Sequence, residues 1–179
     1  MPADFLIRAT ETRDLPTIAA IYGESVLTGT ASYELEPPSI EEMMRRWREL
    51  VDKGYPHLVA VRGEEVLGYA YAGPYRPRPG YRFMVEDSIY VAPAAQGAGI
   101  GRALLGELIK ICEAEGFRQM VAVIGGGTEH PSSVGLHRAL GFREVGLIEG
   151  SGFKFGRWID TMFMQRSLGP GKTTLPEDR

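Results

Sequence analysis

The stretch Ile89-Tyr90-Val91-Ala92-Pro93-Ala94-Ala95-Gln96-Gly97-Ala98-Gly99-Ile100-Gly101-Arg102 leads from an apolar segment through a glycine-rich turn into a helical pattern. A strand that passes through such a turn into a helix leaves backbone N–H groups directed at one spot. Glycine at every second position, 97, 99 and 101, lets the backbone approach a phosphate group without a Cβ in the way. The stretch therefore predicts an anion-binding turn.

Length, charge and cysteine content limit the possible partners. With 179 residues, 44% of them hydrophobic, the chain suits a single domain. Twenty basic and 23 acidic residues give a net charge of -3 without a basic block, so we expect small-molecule partners and no nucleic acid. One cysteine excludes an internal disulfide and fits a reducing compartment. No signal-peptide layout or membrane-length apolar run is present, so we expect no membrane partner and a cytoplasmic location.

Hydrophobic periodicity and turn residues predict a mixed α/β order. A short strand over Phe5–Ala9 comes first. Two helices follow, one capped by Thr12 or Asp14 and one by Ser39, and the loop 28–34 between them could line a pocket. The pattern then predicts these elements: a hairpin over 58–72, a strand at 84–91, a helix of about 15 residues from Ile100, a buried strand at 120–124, a helix from Pro131 to Gly141, and strands Phe142–Ile148 and Trp158–Gln165 joined by a Gly-rich connection.

A glycine turn between a strand and a helix occurs in several phosphate-binding folds, so the turn alone is weak evidence. A kinase-type phosphate loop needs Gly-Lys-Ser or Gly-Lys-Thr, whereas Gly101 is followed by Arg102 and Ala103. A dinucleotide-binding fold places its glycines after the first strand, with an acidic residue about 20 positions later. Here the turn lies mid-chain, behind a predicted antiparallel hairpin, which argues against both.

The turn resembles motif A of the GNAT acetyltransferases, and several further motifs resemble the phosphinothricin and methionine sulfoximine N-acetyltransferase branch. The resemblance covers about residues 5 to 168, and its motifs are Tyr33-Glu34-x-Glu36-Pro37, Tyr71-Ala72-x3-Arg76-x-Arg78-Pro79, Glu86-Asp87-Ser88-Ile89-Tyr90-Val91, Val121-Ala122-Val123-Ile124-Gly125, Ser133-Val134-Gly135-Leu136-His137-Arg138-Ala139-Leu140-Gly141-Phe142 and Gly152-Phe153-Lys154-x-Gly156-x-Trp158.

The resemblance implies a GNAT fold with a central, mostly antiparallel sheet, splayed at the cofactor site and flanked by helices. It implies one domain over residues 1–168, a homodimer, acetyl-CoA as co-substrate and no metal. We expect residues 169–179, which are polar and contain Gly and Pro, to be a disordered tail.

The cofactor site implied by the resemblance consists of a strand, the glycine turn and one serine. Its residues are Ile89, Tyr90, Val91, Gln96, Gly97, Ala98, Gly99, Ile100, Gly101, Arg102 and Ser133. The chain departs from the family at His130, where an asparagine usually helps to position the cofactor's pantetheine arm or thiol. That contact is therefore in question.

The catalytic candidates are Glu86, which matches the family's general-base glutamate, and His137, which matches a histidine near the thioester. From the residues alone, Glu86 also fits a surface carboxylate paired with an arginine, and His137 fits a core histidine on the same helical face as Val134. Cys112 falls on an apolar helical stripe, so we expect an inert thiol and direct acetyl transfer.

The substrate candidates are Arg76 and Arg78, on a proline-stiffened loop where two guanidinium groups can pair with acidic groups of a substrate. The alternative interpretation of these two arginines is surface solvation, which is common for arginines in loops. Tyr33, Ser88 and Lys154 can complete the pocket. The aromatic residues Phe153, Trp158 and Phe163 suggest core or dimer surface.

We therefore predict acetyl transfer from acetyl-CoA to a small amino acid analogue of the phosphinothricin or methionine sulfoximine/sulfone type. The alternatives are a peptide or protein N-terminal acetyltransferase and a non-catalytic acyl-CoA-binding sensor.

Overall fold

The computed structural model describes residues 4–177, except for the side chain of Thr128. Strands and helices follow one another as β1 Leu6–Ala9, α1 Leu15–Thr28, α2 Ile40–Asp52, β2 His57–Arg62, β3 Glu65–Pro74, β4 Met84–Val91, α3 Ile100–Ala114, β5 Gln119–Gly125, α4 Pro131–Ala139, β6 Arg143–Lys154 and β7 Arg157–Ser167. Short 3-10 turns precede α1, β4, α3 and α4.

The strands form one seven-stranded sheet in the order β1-β2-β3-β4-β5-β7-β6. Every neighbouring pair is antiparallel except β4 and β5, which are parallel. The prediction of a mixed α/β fold with a mostly antiparallel sheet is confirmed.

The sheet splays where the parallel strands β4 and β5 meet. Strand β4 pairs with β5 over Met84–Asp87, opposite Gln119–Ala122, while Ser88–Val91 pair with β3 alone. The second half of β5 pairs with β7 on its other side. A wedge therefore opens between the two strands, as the resemblance implied.

Two hydrophobic clusters cover the two faces of the sheet. On one face, α3 buries Leu104, Leu105 and Leu108 completely, together with Cys112. On the other face, α1 buries Leu15 and Ile18 against the tyrosines of β3 and β4. Burial of each such aliphatic side chain contributes about 1.5–3 kcal/mol to folding.

The helix starts follow the sequence only in part. Ser39 Oγ accepts a hydrogen bond from the Glu42 backbone N–H at 3.2 Å, as the capping pattern predicts. Asp14 directly precedes α1, but its side chain does not cap that helix; it accepts from Arg8 and from the Glu11 backbone N–H instead.

The closing hairpin is longer than predicted. Strand β6 extends to Lys154, so most of the expected Gly-rich connection is strand, and the connection is the two-residue turn Phe155-Gly156. Both turn residues have positive φ, 53° and 72°, as the tight hairpin turns that match strand twist require. The register shifts between Ile148 and Gly152, and this irregularity accommodates Gly150 at φ 56°.

The chain after β7 differs from the expected disordered tail. The guanidinium group of Arg118 donates hydrogen bonds to the Gly171 carbonyl, the Thr174 hydroxyl and the Leu175 carbonyl. Leu168 is fully buried at the start of this segment. These contacts hold residues 169–175 against the domain, while 178–179 lie outside the described residues.

Candidate active site

A cleft of about 930 Å³ opens where β4 and β5 diverge. Its walls are the α1–α2 loop, the turn before α3 and the start of α4. The predicted site residues that line it are Tyr33, Glu86, Ser88, Ile89, Tyr90, Val91, Gln96, Gly97, Gly99, Ile100, Gly101, Arg102, Ser133 and His137. Four predicted site residues lie outside this lining: Arg76, Arg78, Ala98 and Lys154.

The glycine turn has the geometry of an anion cradle. Gly97 and Gly99 have φ of 78° and 80°, which ordinary residues rarely adopt, and a Cβ at either position would meet no atom within 4 Å. Gly99 is the N-cap of α3 and provides no side chain, so the N–H groups of the first helical turn remain available to a ligand. Ala98 faces a second, more open groove, and Arg102 lines both.

The free edge of β4 is the second feature that suits acetyl-CoA. Beyond Asp87 the strand has no partner on its β5 side, so backbone groups between Ser88 and Val91 face the cleft. Such groups need hydrogen-bonding partners, and the amides of a pantetheine arm can provide them. Together with the open glycine turn, this edge fits the cofactor that the resemblance implies.

Glu86 lies at the base of the wedge. Burial, and then the neighbouring charge of Asp87, raise the pKa of the Glu86 carboxyl to about 7, while the charge of Arg76 opposes the shift. Arginine pairing is thus the smallest of the three effects, which disfavours the interpretation as a surface ion pair. The group can exchange a proton near neutral pH.

His137 and Asp87 form a buried pair on the opposite face of the sheet, with exposed fractions of 4% and 6%. Nε2 of His137 lies 2.9 Å from Oδ2 of Asp87, and Nδ1 lies 2.8 Å from the Ser133 carbonyl oxygen. The carbonyl can only accept, so Nδ1 carries a hydrogen. Burial alone lowers the pKa of His137, but the hydrogen bond and charge of Asp87, with the Ser133 carbonyl, raise it overall.

These contacts change the interpretation of His137. The ring lines the cleft, but its two nitrogens are both engaged, and Phe142 packs edge-on at 4.9 Å between ring centroids. The histidine is held as a structural residue would be, at the border of the site. It is poorly placed to accept a proton.

Lys154 differs most from the sequence prediction. Only 3% of it is exposed, and its ammonium group donates to the carbonyl oxygens of Gly29 and Ser32 rather than pointing into the cleft. Its place at the end of a strand of unexpected length explains the error, since the predicted Gly-rich connection would have left it mobile.

The two candidate substrate arginines are exposed on the loop that follows β3. The Arg76 guanidinium lies over the Tyr75 ring, 5.1 Å from its centroid. Arg76 is close enough to influence the Glu86 carboxyl electrostatically, whereas Arg78 has no such effect on it.

Three residues of the cleft were not among the predicted site residues. Thr30 and His130 join opposite walls, with Thr30 Oγ1 2.6 Å from Nε2 of His130. Tyr71 lies directly across from Ser88 in the β3–β4 register. The departure from the family at His130 and the alternating tyrosines of β3 were the available signals.

The described residues contain neither a metal-binding cluster nor a membrane-spanning helix. Between residues 4 and 177, no group of three or more His, Cys, Asp or Glu side chains is arranged to hold a metal ion. Within the same range, no helix has the length and apolar character needed to span a bilayer.

Comparison with known proteins identifies the family. Residues 18–142 match the acetyltransferase (GNAT) family. The chain belongs to the GNAT acetyltransferase family. A phosphinothricin N-acetyltransferase from Alcaligenes faecalis is 52% identical over 171 residues, covering 96% of this chain and 86% of the relative. An L-methionine sulfoximine/L-methionine sulfone acetyltransferase from Pseudomonas aeruginosa is 42% identical, covering 93% and 96%.

Solved structures agree with this assignment. The crystal structure of a GNAT phosphinothricin acetyltransferase from Sinorhizobium meliloti in complex with acetyl-CoA has a TM-score of 0.94 and 54% identity, and covers 98% of this chain and 94% of that chain. The prediction of an acetyltransferase is confirmed, as is the resemblance to the phosphinothricin and methionine sulfoximine branch. The roles of individual residues in this GNAT chain remain predictions.

Proposed function

We propose that this chain transfers the acetyl group of acetyl-CoA directly to the amine of a small amino acid analogue of the phosphinothricin or L-methionine sulfoximine/sulfone type, with Glu86 as the general base. One observation carries the proposal: a carboxyl group with a pKa of about 7 lies in the cleft between an anion-binding turn and the α1–α2 loop. The relatives named above act on amines of this type.

The cofactor is held by the chain's backbone. The N–H groups around Gly97, Gly99 and Gly101 bind the pyrophosphate, and Arg102 adds a positive charge beside it. The edge of β4 over Ser88–Val91 binds the pantetheine amides, and Ser133 lies near the far end of the arm. When bound, acetyl-CoA supplies the thioester carbonyl carbon that the amine attacks.

Glu86 removes the proton that the attacking amine must lose. An unperturbed α-amino group titrates near 8, so an acceptor at about 7 leaves a proton transfer that is uphill by only about 1.4 kcal/mol. An ordinary glutamate with a pKa of about 4.3 would be a much weaker base at the same position. Partial burial of Glu86 therefore serves the reaction.

His137 contributes as a fixed polar group at the border of the cleft rather than as a base. Its ring is held by Asp87 and by the Ser133 carbonyl, so its orientation does not change as the reaction proceeds. A preorganised polar group in a partly dehydrated cleft stabilises negative charge that develops at the reacting carbonyl. Cys112 is fully buried on the inner face of α3, in keeping with transfer that forms no acyl-enzyme.

On the amine side, Arg76 and Arg78 bind the acidic groups of the substrate, and Tyr33 and Ser88 contact its body. Arg76 is the stronger candidate because its charge acts on Glu86. A substrate carboxylate between Arg76 and the cleft would bring its α-amine towards Glu86. Lys154 is not among these proposed contacts, because its ammonium group donates to the Gly29 and Ser32 carbonyls.

We also propose that the chain forms a homodimer through the β6–β7 hairpin. Strand β6 is an edge strand, and the exposed apolar side chains of this hairpin are Val145, Leu147, Ile148, Phe153, Phe155 and Trp158. Phe153 and Trp158 pack on each other at 5.1 Å although both are largely exposed. Exposed apolar edges of this kind usually mark an interface.

The test is to mix purified protein with acetyl-CoA and, separately, phosphinothricin, L-methionine sulfoximine, L-methionine sulfone and a short peptide with an N-terminal alanine, and to follow free thiol release. We expect turnover with at least one amino acid analogue and little with the peptide. Turnover with the peptide alone would indicate an N-terminal acetyltransferase. Calorimetric binding of acetyl-CoA without thiol release from any amine would indicate a non-catalytic acyl-CoA-binding protein.

A further inference from the structure

Residues 29–34 are the first part of the α1–α2 loop, and 29–33 line the same cleft as Glu86 and Ser88. We infer that Lys154 is a positioning residue that holds this loop in place and thereby sets the affinity for the amine substrate. The inference rests on the proposed function for its substrate side, but the tie between Lys154 and the loop can be tested separately.

Lys154 is hydrogen-bonded to the loop at two points. Its Nζ donates hydrogen bonds to the Gly29 carbonyl at 2.9 Å and to the Ser32 carbonyl at 2.8 Å. The side chain is buried, so solvent competes little for these bonds. One ammonium group thus joins the two ends of a four-residue segment and fixes the distance between them.

A second tie joins the loop to the start of α4. Thr30 Oγ1 donates to the Gly125 carbonyl at 3.3 Å and lies 2.6 Å from Nε2 of His130. Because the threonine hydroxyl has one hydrogen, both contacts are satisfied when His130 carries its hydrogen on Nε2 and donates. The residue that departs from the family pattern therefore contacts the amine-side loop.

The loop also packs directly against the backbone of two glycines, Gly125 and Gly152. A Cβ on Gly125 would lie 2.1 Å from the Thr30 carbonyl oxygen, and a Cβ on Gly152 would lie 2.8 Å from the Tyr33 ring. The Tyr33 hydroxyl lies 2.5 Å from Thr161 Oγ1 on β7. These contacts define one position for the loop, and Lys154 is the only charged side chain that binds its carbonyls among the described residues.

Movement of the loop has an asymmetric effect on the two substrates. The loop lines the same cleft as Glu86, so its displacement would misalign the amine relative to the base. The glycine turn and the start of α3 also line the cleft, but the two hydrogen bonds of Lys154 within residues 4–177 go to Gly29 and Ser32. Loss of Lys154 should therefore weaken amine binding and leave acetyl-CoA binding intact.

The experiment compares Lys154→Met, Lys154→Arg and, as a matched control, Lys53→Met at an exposed site beyond α2. For Lys154→Met we expect the KM for the amine to rise about tenfold, with the KM for acetyl-CoA unchanged within about twofold. Hydrogen exchange of residues 29–34 in the unliganded protein should become faster. Lys154→Arg should show a smaller rise in the amine KM and a smaller increase in exchange than Lys154→Met. Lys53→Met should show neither change.

Each contrary result has a defined meaning. A raised amine KM with unchanged exchange of 29–34 would make Lys154 a direct substrate contact and overturn the inference. Equal rises in both KM values, or a lower folded fraction by circular dichroism, would reduce it to a general stabilising residue. If the wild-type protein turns over no amine, the proposed function fails, and unchanged exchange in Lys154→Met would then reject the tie by itself.

Discussion

Nε2 of His137 lies 2.9 Å from Oδ2 of Asp87, while the carboxyl of the adjacent Glu86 faces the other side of the sheet. Neighbouring residues of a strand project to opposite faces, so two consecutive acids meet different surroundings. Asp87 is hydrogen-bonded to His137 in the α3 and α4 layer. Among residues 4–177, Glu86 has no comparable hydrogen-bonding partner, and burial with the charge of Asp87 raises its pKa to about 7.

The activity of the enzyme should therefore depend on the charge state of Glu86. Below pH 7 the carboxyl is protonated and cannot accept the amine proton, so kcat/KM should rise with pH through about 7. Glu86→Gln should lower kcat by about 10²–10⁴-fold and remove the rise of kcat/KM through pH 7. The remaining pH dependence should come from the ionisation of the amine substrate near 8. Steady-state rates from pH 5.5 to 9 provide the measurement. Glu64→Gln, in the exposed β2–β3 turn, should behave as wild type; an unchanged profile in Glu86→Gln would remove Glu86 from the mechanism.

The same residue should reduce stability at high pH. Its folded-state pKa of about 7 exceeds its usual 4.5, so the folded state disfavours the carboxylate, and the free energy of unfolding falls as pH rises between those values. Glu86→Gln removes this penalty. Urea unfolding measures the free energy of unfolding of the variant and of the wild type at each pH. The difference between them should favour the variant by about 2 kcal/mol more at pH 8 than at pH 4.5, after allowance for partial solvent screening. A difference independent of pH would argue against the raised pKa.

The Asp87–His137 pair should stabilise the fold most at low pH. Since the pKa of His137 is raised, its contribution is present below about 6.5 and is lost as pH rises through the folded-state value. Asp87→Asn leaves a buried imidazole without its counter-charge and should cost about 3 kcal/mol at pH 6, and less at pH 9. Asp52→Asn, at the exposed end of α2, is the control. An equal loss at both pH values would mean that His137 is neutral.

The glycine turn on the proposed cofactor side can be predicted from the sequence because its geometry is encoded locally. The spacing of Gly97, Gly99 and Gly101 specifies the turn, the position of the strand and the start of α3 without reference to the rest of the chain. The amine side depends on contacts between distant residues. Lys154 binds a carbonyl 125 positions earlier, and Thr30 meets a histidine 100 positions later.

Two further differences have the same physical origin. The glycines after Ile148 resemble a flexible connection in sequence, but cross-strand pairing with β7 keeps them in β6 up to Lys154. Arg118 similarly orders polar residues that have no hydrophobic pattern of their own. In both cases a tertiary partner decides the structure, and local propensity does not contain that information.

The glycine turn permits a test that separates folding from cofactor binding. Gly99→Ala places a Cβ on a residue with φ of 80°, which costs about 1–2 kcal/mol of stability and distorts the N–H groups at the start of α3. We expect weaker acetyl-CoA binding by calorimetry together with a lower unfolding midpoint. Gly106→Ala, inside α3 where a Cβ meets nothing within 4 Å, should instead stabilise the protein by about 0.5–1 kcal/mol. Tight acetyl-CoA binding by folded Gly99→Ala would show that the turn does not form the cofactor site.

The proposed dimer depends on the exposed face of the β6–β7 hairpin. Trp158 is 69% exposed in the single chain, so Trp158→Glu should leave the fold intact while placing a charge in the interface. Sedimentation should give the mass of two 19.7 kDa chains for the wild type and of one chain for the variant at micromolar concentration. Leu6→Glu makes the same kind of change on β1, the opposite edge of the sheet, where Leu6 is 63% exposed, and should remain dimeric. If Leu6→Glu dissociates and Trp158→Glu does not, the two chains meet at β1; a wild-type protein that sediments as one chain would leave the apolar hairpin without this role.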